Sequence, residues 1–497
     1  MESLLQAFQV LLMPIPILWI TLGVIIGCIV GAIPGLSGSM LLALTLPLTF
    51  YMKSGDAVNL LVAMHIGAMS GGLLSATLLR IPGTGAAIVT TFDGYPLAKS
   101  GKAGRAIGIG IFSSFIGGFI AWIFLVTLSP LLSKFALKFS AFEIFSIVLL
   151  ALVMIVSVSQ GSILRAVISG ILGLLVGIPG MDPVLGTTRL IFGFNKLITG
   201  FSIVPVLIGL FGFSQILKDT AKVEIHVEQA PFLFKNMFLK FSEIRKHFVN
   251  FVRSSVIGTW IGVLPGVGAN IASLVAYSSA KNYSKHPELF GKGSEEGIIA
   301  SETANNASMN GALIPMLTLG IPGNLATAIL LGALTLHGLK PGPLLFSSEP
   351  EVVYGIMATA FVGNIIMLIV MLGGSLFTAR IITIPKAYLL PILIVFCVAG
   401  TYALNGQIFD VWVLIIFGFV GFFFDKANIP LGPFIIGLIL SSIAEVNFRV
   451  SLMHSEGSLL PFFTRPISAT FILVSFIVLG WSIYKELKIQ KKSNKGK

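Results

Sequence analysis

The chain has 497 residues, of which 55% are hydrophobic and only 10% are charged, whereas soluble proteins carry about 25% charged residues. This composition excludes a soluble enzyme, a secreted disulfide-rich domain and a disordered regulator, because too little polar surface remains to face water. The net charge of +12 comes mostly from short loops and the tail at 485–497, which predicts contact with anionic lipid and not with nucleic acid. The lipid bilayer is therefore the expected solvent of the chain.

The 54 glycines and 24 prolines indicate more than a simple anchor, because many of them interrupt apolar runs. Backbone groups freed at such interruptions cannot face hydrocarbon and must be buried in protein or line a wet cavity. The pattern favours a transport protein with many membrane crossings. Cys28 and Cys397 lie far apart in apolar segments and predict neither a disulfide nor a metal site, and no motif predicts a cofactor.

In chain order, residues 1–217 are predicted to form the first half of an all-α membrane protein with about 11–12 crossings. This half begins with a re-entrant hairpin over 20–52 and a crossing over 57–92 that is unwound at Ile-Pro-Gly. Four further spans follow at 107–129, 142–158, 163–179 and 200–217. Residues 218–253 are predicted to be a cytoplasmic linker that ends in an amphipathic surface helix.

The second half, residues 254–466, is predicted to repeat this order, with a re-entrant hairpin over 254–280 and an unwound crossing over 298–336. Its further spans are predicted at 352–374, 387–404, 408–424 and 430–446. One additional span at 467–484 then returns the basic tail to the cytoplasm, so that residues 467–497 form a C-terminal extension.

Two recurring motifs support this division into halves. Gly27, Gly31 and the following Ile-Pro-Gly-Leu recur as Gly258, Gly262 and Leu-Pro-Gly-Val, and the Ile-Pro-Gly at 81–83 recurs at 321–323. The offsets are 231 and 240 residues, so the halves share an order of elements as well as a motif.

Loop charges predict that the two halves are inverted relative to each other. The loops after the first unwound crossing and after the second hairpin are basic, whereas their counterparts carry one lysine each. The basic set is Lys99, Lys102 and Arg105 in the first half and Lys281, Lys285 and Lys292 in the second, against Lys53 and Lys340. Because basic loops stay in the cytoplasm, corresponding loops fall on opposite sides. This is the plan of an inverted-repeat secondary transporter, and we expect an elevator-type cycle.

The four interruptions are the predicted substrate site. Helix ends at Pro-Gly sequences offer N–H groups and positive dipole ends to an anion, and unwound carbonyls to a cation. The candidate substrate-binding residues are Pro34, Gly35, Ser37, Gly38, Ser39, Arg80, Pro82, Gly83, Thr84, Pro265, Gly266, Gly268, Asn270, Pro322, Gly323 and Asn324. Close packing of small residues around harmless kinks is the alternative interpretation.

Charged and amide residues stand out near these interruptions. Arg80 directly precedes the first Ile-Pro-Gly and is suited either to binding a carboxylate through two hydrogen bonds or to reaching the membrane interface. Glu302, Asn305 and Asn306 form a polar island suited to a coupling ion, Na+ or H+, or to tying neighbouring helices together. Asp93 is predicted to act as a turn and helix-cap residue.

Other function classes leave weaker signals. The Gly-Leu-Ser-Gly at 35–38 resembles the motif of intramembrane serine proteases, with Ser37 as nucleophile and His65 or His337 as base. The second half carries Gly268 where Ser37 would fall, which disfavours this interpretation. A passive anion channel is a third alternative that the sequence leaves open.

The motifs together are similar to those of one transporter family. The matching sequences are Gly-Ala-Ile-Pro-Gly-Leu at 31–36, Arg-Ile-Pro-Gly-Thr at 80–84, Asp-Gly-Tyr-Pro-Leu-Ala at 93–98, Gly-Lys-Ala-Gly-Arg at 101–105, Leu-Pro-Gly-Val-Gly at 264–268, Ser-Lys-His-Pro-Glu at 284–288, Ala-Asn-Asn-Ala at 304–307, Gly-Ile-Pro-Gly at 320–323 and His-Gly-Leu-Lys-Pro-Gly-Pro at 337–343. In this order they resemble the large membrane subunit of tripartite tricarboxylate transporters, the TctA family.

The resemblance implies a non-enzymatic permease of the bacterial inner membrane that imports di- or tricarboxylates with an ion gradient. It also implies two partners, a small membrane subunit and a periplasmic substrate-binding protein, and it leaves a homo-oligomer open. Arg80 stands where many family members are expected to have Asn, and Ala-Met-Ser at 68–70 replaces a region often richer in Gly and Tyr. The identity of the substrate therefore does not follow from the resemblance.

Overall fold

The computed structural model describes residues 2–159, 161–220, 237–382 and 386–495. We number its main helices in chain order. Those of the first half are α1 (Glu2–Leu11), α2 (Pro14–Ala32), α3 (Gly38–Thr49), α4 (Ser54–Leu79), α5 (Ala103–Ala136), α6 (Ala141–Val158), α7 (Ile163–Val176) and α8 (Ile203–Thr220). Three short helical turns, Gly85–Phe92, Gly94–Leu97 and Ala98–Lys102, connect α4 to α5.

Ten further main helices follow among the described residues of the second part of the chain. They are α9 (Phe241–Lys246), α10 (Phe248–Val263), α11 (Gly268–Tyr283), α12 (Glu295–Leu319), α13 (Leu325–Leu336), α14 (Pro350–Ile381), α15 (Lys386–Asn405), α16 (Ile408–Lys426), α17 (Leu431–His454) and α18 (Pro466–Lys495). Shorter turns lie at Asn195–Thr199, Pro287–Leu289, Leu345–Ser348 and Leu460–Thr464.

Nine helices in the described residues are long and apolar enough to cross a membrane, which confirms a mostly helical, multi-pass protein. These nine fall short of the predicted 11–12 crossings. The predicted span at 163–179 forms a shorter apolar helix, Ile163–Val176. The predicted span at 387–404 lies within α15, of which Leu389–Asn405 forms a short apolar helix. The 14 residues of α7 extend for about 21 Å, which is less than the hydrocarbon core of about 30 Å.

α2 and α3 form a helical hairpin that packs along α4 through glycines. A methyl group at Gly27 would lie 2.3 Å from the carbonyl oxygen of Met64, and one at Gly31 would lie 2.2 Å from that of Ala68. Small residues of this kind let two helix backbones approach closely. Because the contacts advance in the same order along both helices, α2 and α4 run in the same direction. α2 ends beside the middle of α4, and α3 leads back towards the start of α4.

α10 and α11 repeat this arrangement against α12. A methyl group at Gly258 would lie 2.5 Å from the carbonyl oxygen of Ala304, and one at Gly262 would lie 2.2 Å from that of Ser308. Relative to the first hairpin, the glycines are displaced by 231 residues and their partners by 240 residues. The repeated sequence motif therefore corresponds to a repeated contact.

The order of contacts along α5 and α14 gives the relative direction of the long helices α4 and α12. α5 and α12 run in the same direction, as their contacts Arg105–Glu295 and Gly118–Asn310 show. α4 and α14 also run in the same direction, as shown by Asn59–Gly355 and Ile66–Gly363. α5 and α14 run in opposite directions, as shown by Phe115–Asn364 and Trp122–Met357. α4 and α12 therefore run in opposite directions.

Beyond α4 the chain turns back before it continues. The 26 residues of α4 extend for about 39 Å, enough to cross the hydrocarbon core without a break. The following Ile-Pro-Gly returns along α4, so that a methyl group at Gly83 would lie 3.0 Å from the Cα of Gly72. The chain then runs forward again, since a methyl group at Gly94 would lie 2.9 Å from Thr77 Oγ1. The predicted unwinding partway along the crossing over 57–92 is thus corrected, because the break follows a complete helix.

The same correction applies to the predicted crossing over 298–336. α12 is a continuous helix of 25 residues. A methyl group at Gly323 would lie 2.8 Å from the Cα of Ala312, and one at Gly320 would lie 3.0 Å from the carbonyl oxygen of Pro341. Each Ile-Pro-Gly segment therefore lies beside its preceding helix, within the bundle and not at its end.

Two lateral groups of helices flank the central block, which consists of α2–α5 and α10–α14. The first lateral group is α6, α7, α17 and α18, in which the hydroxyls of Ser146 and Ser468 are 2.8 Å apart. The second is α8, α15 and α16, in which a methyl group at Gly209 would lie 2.5 Å from the carbonyl oxygen of Leu414. The first hairpin touches the second group, since a methyl group at Gly400 would lie 3.2 Å from the Cβ of Pro47.

Between α7 and α8 lies a short antiparallel β-hairpin, Gly180–Met181 with Thr188–Arg189, that has no counterpart among the sequence predictions. Asp182 in this hairpin accepts hydrogen bonds from Arg449 on α17. These bonds hold the pKa of Asp182 well below its usual range. The ion pair thereby fastens the loop to the first lateral group.

Residues 221–236 of the predicted linker lie outside the described residues. The described end of the linker contains α9, a helix of six residues, and the start of α10. Glu243 on α9 and Glu295 on α12 both bind the guanidinium of Arg105 on α5, at 2.7 Å and 2.9 Å. The hydrogen bonds from Arg105 lower the pKa of Glu243. One arginine thus ties the linker to both halves.

The replacement Gly262→Val is expected to destabilise the fold by about 1–3 kcal/mol, because the new side chain overlaps the Ser308 carbonyl. Thermal unfolding of the purified protein in detergent measures the loss. Gly373→Val on α14 is the matched control, since a methyl group there would meet no described atom within 4 Å. Equal losses of Tm in the two variants would contradict the close approach of α10 and α12.

Candidate functional site

The first hairpin tip places polar groups at the start of α3. The predicted break at Pro34 and Gly35 is confirmed as the gap between α2 and α3, and Gly35 has a φ of 92°, a conformation that favours glycine. Ser37 is exposed and caps α3, because its Oγ accepts a hydrogen bond from the N–H of Met40 over 3.1 Å. The less exposed tip residues are Pro34 and Ser39, which are half-buried, and Gly38, which is buried.

The second hairpin tip is tied directly to the second Ile-Pro-Gly segment. The predicted break at Pro265 and Gly266 is confirmed as the gap between α10 and α11. Gly266 and Gly268 have φ angles of 78° and 72°, and the N–H of Gly266 donates to the carbonyl of Gly323 over 2.8 Å. Asn270 is exposed in the first turn of α11.

The two Ile-Pro-Gly segments leave their helices in the same way. Arg80 ends α4 with a φ of 58° and Gly320 ends α12 with a φ of 69°, so corresponding residues adopt the left-handed conformation. Asn324 then caps α13 by accepting a hydrogen bond from the N–H of Thr327 over 2.9 Å. Thr84 is buried, and its hydroxyl has no partner in the described part of the chain. The remaining candidates are Pro82, which is half-buried, and Gly83, Pro322 and Gly323, which are buried.

Within each half the Ile-Pro-Gly segment lies against the end of the hairpin's first helix. A methyl group at Gly83 would lie 2.1 Å from the carbonyl oxygen of Gly31, and one at Gly323 would lie 2.8 Å from that of Gly262. The structure therefore brings the tip and the Ile-Pro-Gly segment of one half together, as the sequence predicts for a shared site.

Asn270 connects the second tip to the first Ile-Pro-Gly segment. A methyl group at Gly85 would lie 2.7 Å from the Nδ2 atom of Asn270, and both residues are exposed. Arg80 lies apart from this contact, because its side chain is exposed and its guanidinium is 5.8 Å from the ring centre of Tyr95. The geometry favours the interpretation of Arg80 as an outward-reaching residue over a buried carboxylate ligand.

Glu302 lies at the centre of a buried hydroxyl network. Thr90 donates to one of its carboxylate oxygens, while Ser114 and Asn305 approach the other at 3.2 Å and 3.5 Å. The hydroxyls of Thr90 and Ser301 are 3.2 Å apart. The sequence analysis did not identify Thr90, Ser114 and Ser301 as site residues. The only feature that marks them in the sequence is a hydroxyl side chain within an apolar segment.

Asn305 and Asn306 join α12 to α4. The Nδ2 atom of Asn305 donates to the carbonyl of Met69 over 3.2 Å, and Ser70 donates to the Oδ1 atom of Asn306 over 2.9 Å. These contacts match the alternative in which the amides tie helices together. The Oδ1 atom of Asn305 has no partner among the described residues, and a role in ion binding stays a prediction.

The geometry gives no support to a serine protease. A nucleophile and its base must be in hydrogen-bond contact, but neither ring nitrogen of the buried His65 has a partner in the ranges that the structure describes. Ser37 serves as a helix cap, and His337 lies at the far end of α13.

Asp93 fastens the first half to the loop that precedes α12. Its Oδ1 atom is buried and accepts hydrogen bonds from the N–H groups of Gly291, Gly293 and Ser294 at 2.8–2.9 Å. Asp93 precedes the helical turn Gly94–Leu97 but makes no side-chain capping hydrogen bond to it. Its side chain binds backbone that lies 198 to 201 residues away in the chain.

The chain is similar to one protein family and to two relatives from one organism. Residues 17–436 match the model of the tripartite tricarboxylate transporter TctA family. An uncharacterized 52.8 kDa protein in the TAR-I ttuC′ 3′ region of Agrobacterium vitis is 35% identical over 476 residues, which cover 95% of this chain and 94% of the relative. An uncharacterized protein in the TAR-II ttuC′ 3′ region of the same organism is 36% identical over 234 residues, covering 47% of this chain and 97% of the relative. No solved structure matches the chain.

The replacement Asp93→Ala is expected to loosen the loop before α12, because three backbone N–H groups lose their acceptor. Losing a hydrogen bond to a charged group costs about 1.5–3 kcal/mol. Hydrogen–deuterium exchange of peptides covering 288–297 should become faster, whereas Asp93→Asn keeps an acceptor oxygen and should change exchange less. Unchanged exchange in Asp93→Ala would contradict this role.

Proposed function

The chain belongs to the tripartite tricarboxylate transporter TctA family, and from this premise we propose that it is the large permease subunit of a carboxylate importer. In this proposal, an ion gradient across the bacterial inner membrane drives the uptake of di- or tricarboxylates by alternating access. A small membrane subunit and a periplasmic substrate-binding protein complete the system. The substrate is delivered from the periplasm to the hairpin tips.

One observation carries the proposal, namely that each half closes a hairpin tip against an Ile-Pro-Gly segment through matching glycine contacts. α3 and α11 start at these tips, and the N-terminus of a helix attracts an anion through its free N–H groups and its dipole. Asn270 adds an exposed amide where the second tip meets Gly85 of the first segment. These features favour an anion site shared by the two halves.

We also propose that the halves are inverted repeats and that transport follows an elevator-type cycle. The opposite directions of α4 and α12 support the inversion. The central block would move as one body, because a methyl group at Gly117 on α5 would lie 2.2 Å from the carbonyl oxygen of Thr303 on α12, which leaves no room for sliding between these helices. The two lateral groups would form the fixed scaffold.

The coupling ion in this proposal is Na+ or H+. Without substrate and ion, the carrier holds an unpaired charge, and moving this charge through the membrane costs free energy. When substrate and ion are both bound, the charges neutralise each other and the carrier moves readily. This difference couples the carboxylate to the ion. A passive anion channel is the competing proposal, and it differs by failing to accumulate substrate against a gradient.

Proteoliposomes that contain the chain with its partner subunits are expected to accumulate labelled citrate or succinate when a Na+ gradient or a pH gradient is imposed. Asn270→Leu should lower this uptake at least ten-fold while leaving the Tm unchanged, because the amide is exposed. Asn282→Leu on the same helix, also exposed, is the matched control and should retain uptake.

Two results would argue against this proposal. Uptake that ignores both gradients in the presence of the partner subunits would overturn it. Equilibration without accumulation would favour the passive anion channel.

A disulfide between the central block and a lateral group is expected to stop transport. Cysteines at positions 47 and 400, introduced as Pro47→Cys and Gly400→Cys without the native cysteines, would place their Cβ atoms 3.2 Å apart, close to disulfide spacing. The single variants Pro47→Cys and Gly400→Cys, which cannot form this bond, are the controls. Oxidation should abolish uptake reversibly in the double variant and leave each single variant within two-fold of its reduced form. Full uptake by the oxidised double variant would refute a central block that moves against this lateral group.

A further inference from the structure

Glu302 is fully buried between α12, α5 and the helical segment that follows the first Ile-Pro-Gly. Its hydrogen-bond donors are the side chains of Thr90, Ser114 and Asn305, and all three are neutral. An ionised carboxylate without a cationic partner is costly to bury. The surroundings of Glu302 therefore favour its uncharged form in this conformation.

The charged and titratable groups on the elements packed around Glu302 lie elsewhere on those elements. They are Arg105 and Lys134 on α5, Arg253 on α10, Tyr277, Lys281 and Tyr283 on α11, Asp56 and His65 on α4, Asp93 beyond the first Ile-Pro-Gly, His337 beyond α13, and Glu295 and Glu296 on α12 itself. Arg105 binds Glu243 and Glu295, and Arg253 donates to the side chain of Asn250. Among the described residues, no basic side chain forms an ion pair with Glu302.

The groups around the carboxylate suit a proton better than a metal cation. The Thr90 hydroxyl donates to one carboxylate oxygen, and the Ser114 hydroxyl and the Asn305 amide donate to the other. Cations such as Ca2+ take about six to eight oxygen ligands, several of them carboxylates, whereas no group of three His, Cys, Asp or Glu side chains in the described residues could hold a metal ion. A proton requires only one carboxylate oxygen.

We propose that Glu302 binds and releases the proton that drives carboxylate import. This inference rests on the proposed transport function and names H+ as its coupling ion. The proton enters from the outside, binds one oxygen of the carboxylate while the substrate is loaded, and leaves that oxygen towards the cytoplasm after the block has moved. The loaded carrier is then neutral at this position, and the deprotonated carrier holds an uncompensated charge.

A short structural path connects this position to the substrate site. Thr90 lies in the segment Gly85–Phe92, which starts at the residue that touches Asn270. A movement of this segment on substrate binding changes the distance between the Thr90 hydroxyl and the Glu302 carboxylate. Protonation of Glu302 and binding of substrate thereby influence each other through the short helical segment Gly85–Phe92.

The acid is present in one half only. The position displaced by 240 residues from Glu302 is Val62, whereas Asn305 corresponds to His65. The glycine contacts are duplicated but the carboxylate is not, so the fold supplies one such proton site per chain.

Uptake of labelled citrate and succinate into proteoliposomes, with the partner subunits present, tests the role of Glu302. A pH gradient, acidic outside, is imposed without Na+, and exchange of external labelled for internal unlabelled substrate is measured separately. In Glu302→Gln, uptake driven by the pH gradient should be at least ten-fold lower than in wild type. Its exchange rate should stay within about two-fold of wild type and should not depend on pH. Glu296→Gln, six residues earlier on α12, is the matched control and should behave as wild type.

The possible failures are distinguishable. Wild-type protein without uptake under any gradient would overturn the proposed function itself. Wild-type uptake driven by Na+ alone, or full pH-driven uptake by Glu302→Gln, would overturn the proton role and leave the transport proposal standing.

A second variant decides the question if Glu302→Gln does not fold. Thr90→Val removes a hydroxyl that stabilises the deprotonated carboxylate, so the pH midpoint of uptake should move upward by at least half a unit. An unchanged midpoint in folded Thr90→Val protein would overturn the proposal.

Discussion

The close approach of helix backbones at glycine is the constraint on which the rest of the structure depends. At Gly31 and Gly262 the side chain is a single hydrogen, and the neighbouring carbonyls occupy the space that a Cβ would need. Without a hydrophobic driving force between helices in lipid, such contacts supply much of the packing energy. They also hold the first helix of each hairpin parallel to a long helix, which sets where each hairpin tip lies.

The position of the tips decides what the broken segments can do. Gly83 and Gly323 return to the level of the tips because their own lack of a side chain lets them lie against the ends of α2 and α10. The freed backbone groups of the Ile-Pro-Gly segments are therefore enclosed by protein, as the bilayer requires. One of them is satisfied by the bond from Gly266 to Gly323, while the exposed Gly85 and Asn270 remain accessible to a ligand.

Polar contacts between the halves complete the central block. Asp93 and Arg105 bind residues of the other half at the end of the central block that the loop charges predict to be cytoplasmic. Deeper in the bundle, the hydrogen bond from Ser70 to Asn306 joins α4 to α12. Glu302 differs from these residues because its partners are neutral hydroxyls and an amide. Asp93, Arg105, Ser70 and Asn306 therefore stabilise the contact between α4, α5 and α12, whereas the charge of Glu302 is free to change during the proposed transport cycle.

Much of the fold could be predicted because proline and glycine act locally. The positions of all four breaks and the 231- and 240-residue offsets followed from the order of residues, since a missing N–H or side chain ends a helix wherever it occurs. The span at 163–179 was predicted too long, because hydropathy counts apolar residues but does not show where backbone hydrogen bonding stops, as it does at Gly177.

The amino-acid sequence by itself determined membrane residence, the duplicated breaks, the family and the polar island around Glu302. Only the tertiary structure decided that each Ile-Pro-Gly segment follows a complete helix and folds back along it, that Asn270 meets the break of the other half, and that Thr90 and Ser114 bond Glu302. The physical reason is the range of the interactions. Helix breaks depend on the chemistry of a few adjacent residues. The fold-back brings together residues 11 positions apart, such as Gly72 and Gly83, and the contacts of Asn270 and Glu302 join residues that are 185 or more positions apart. All of these contacts exist only once the glycine contacts have brought the helices together.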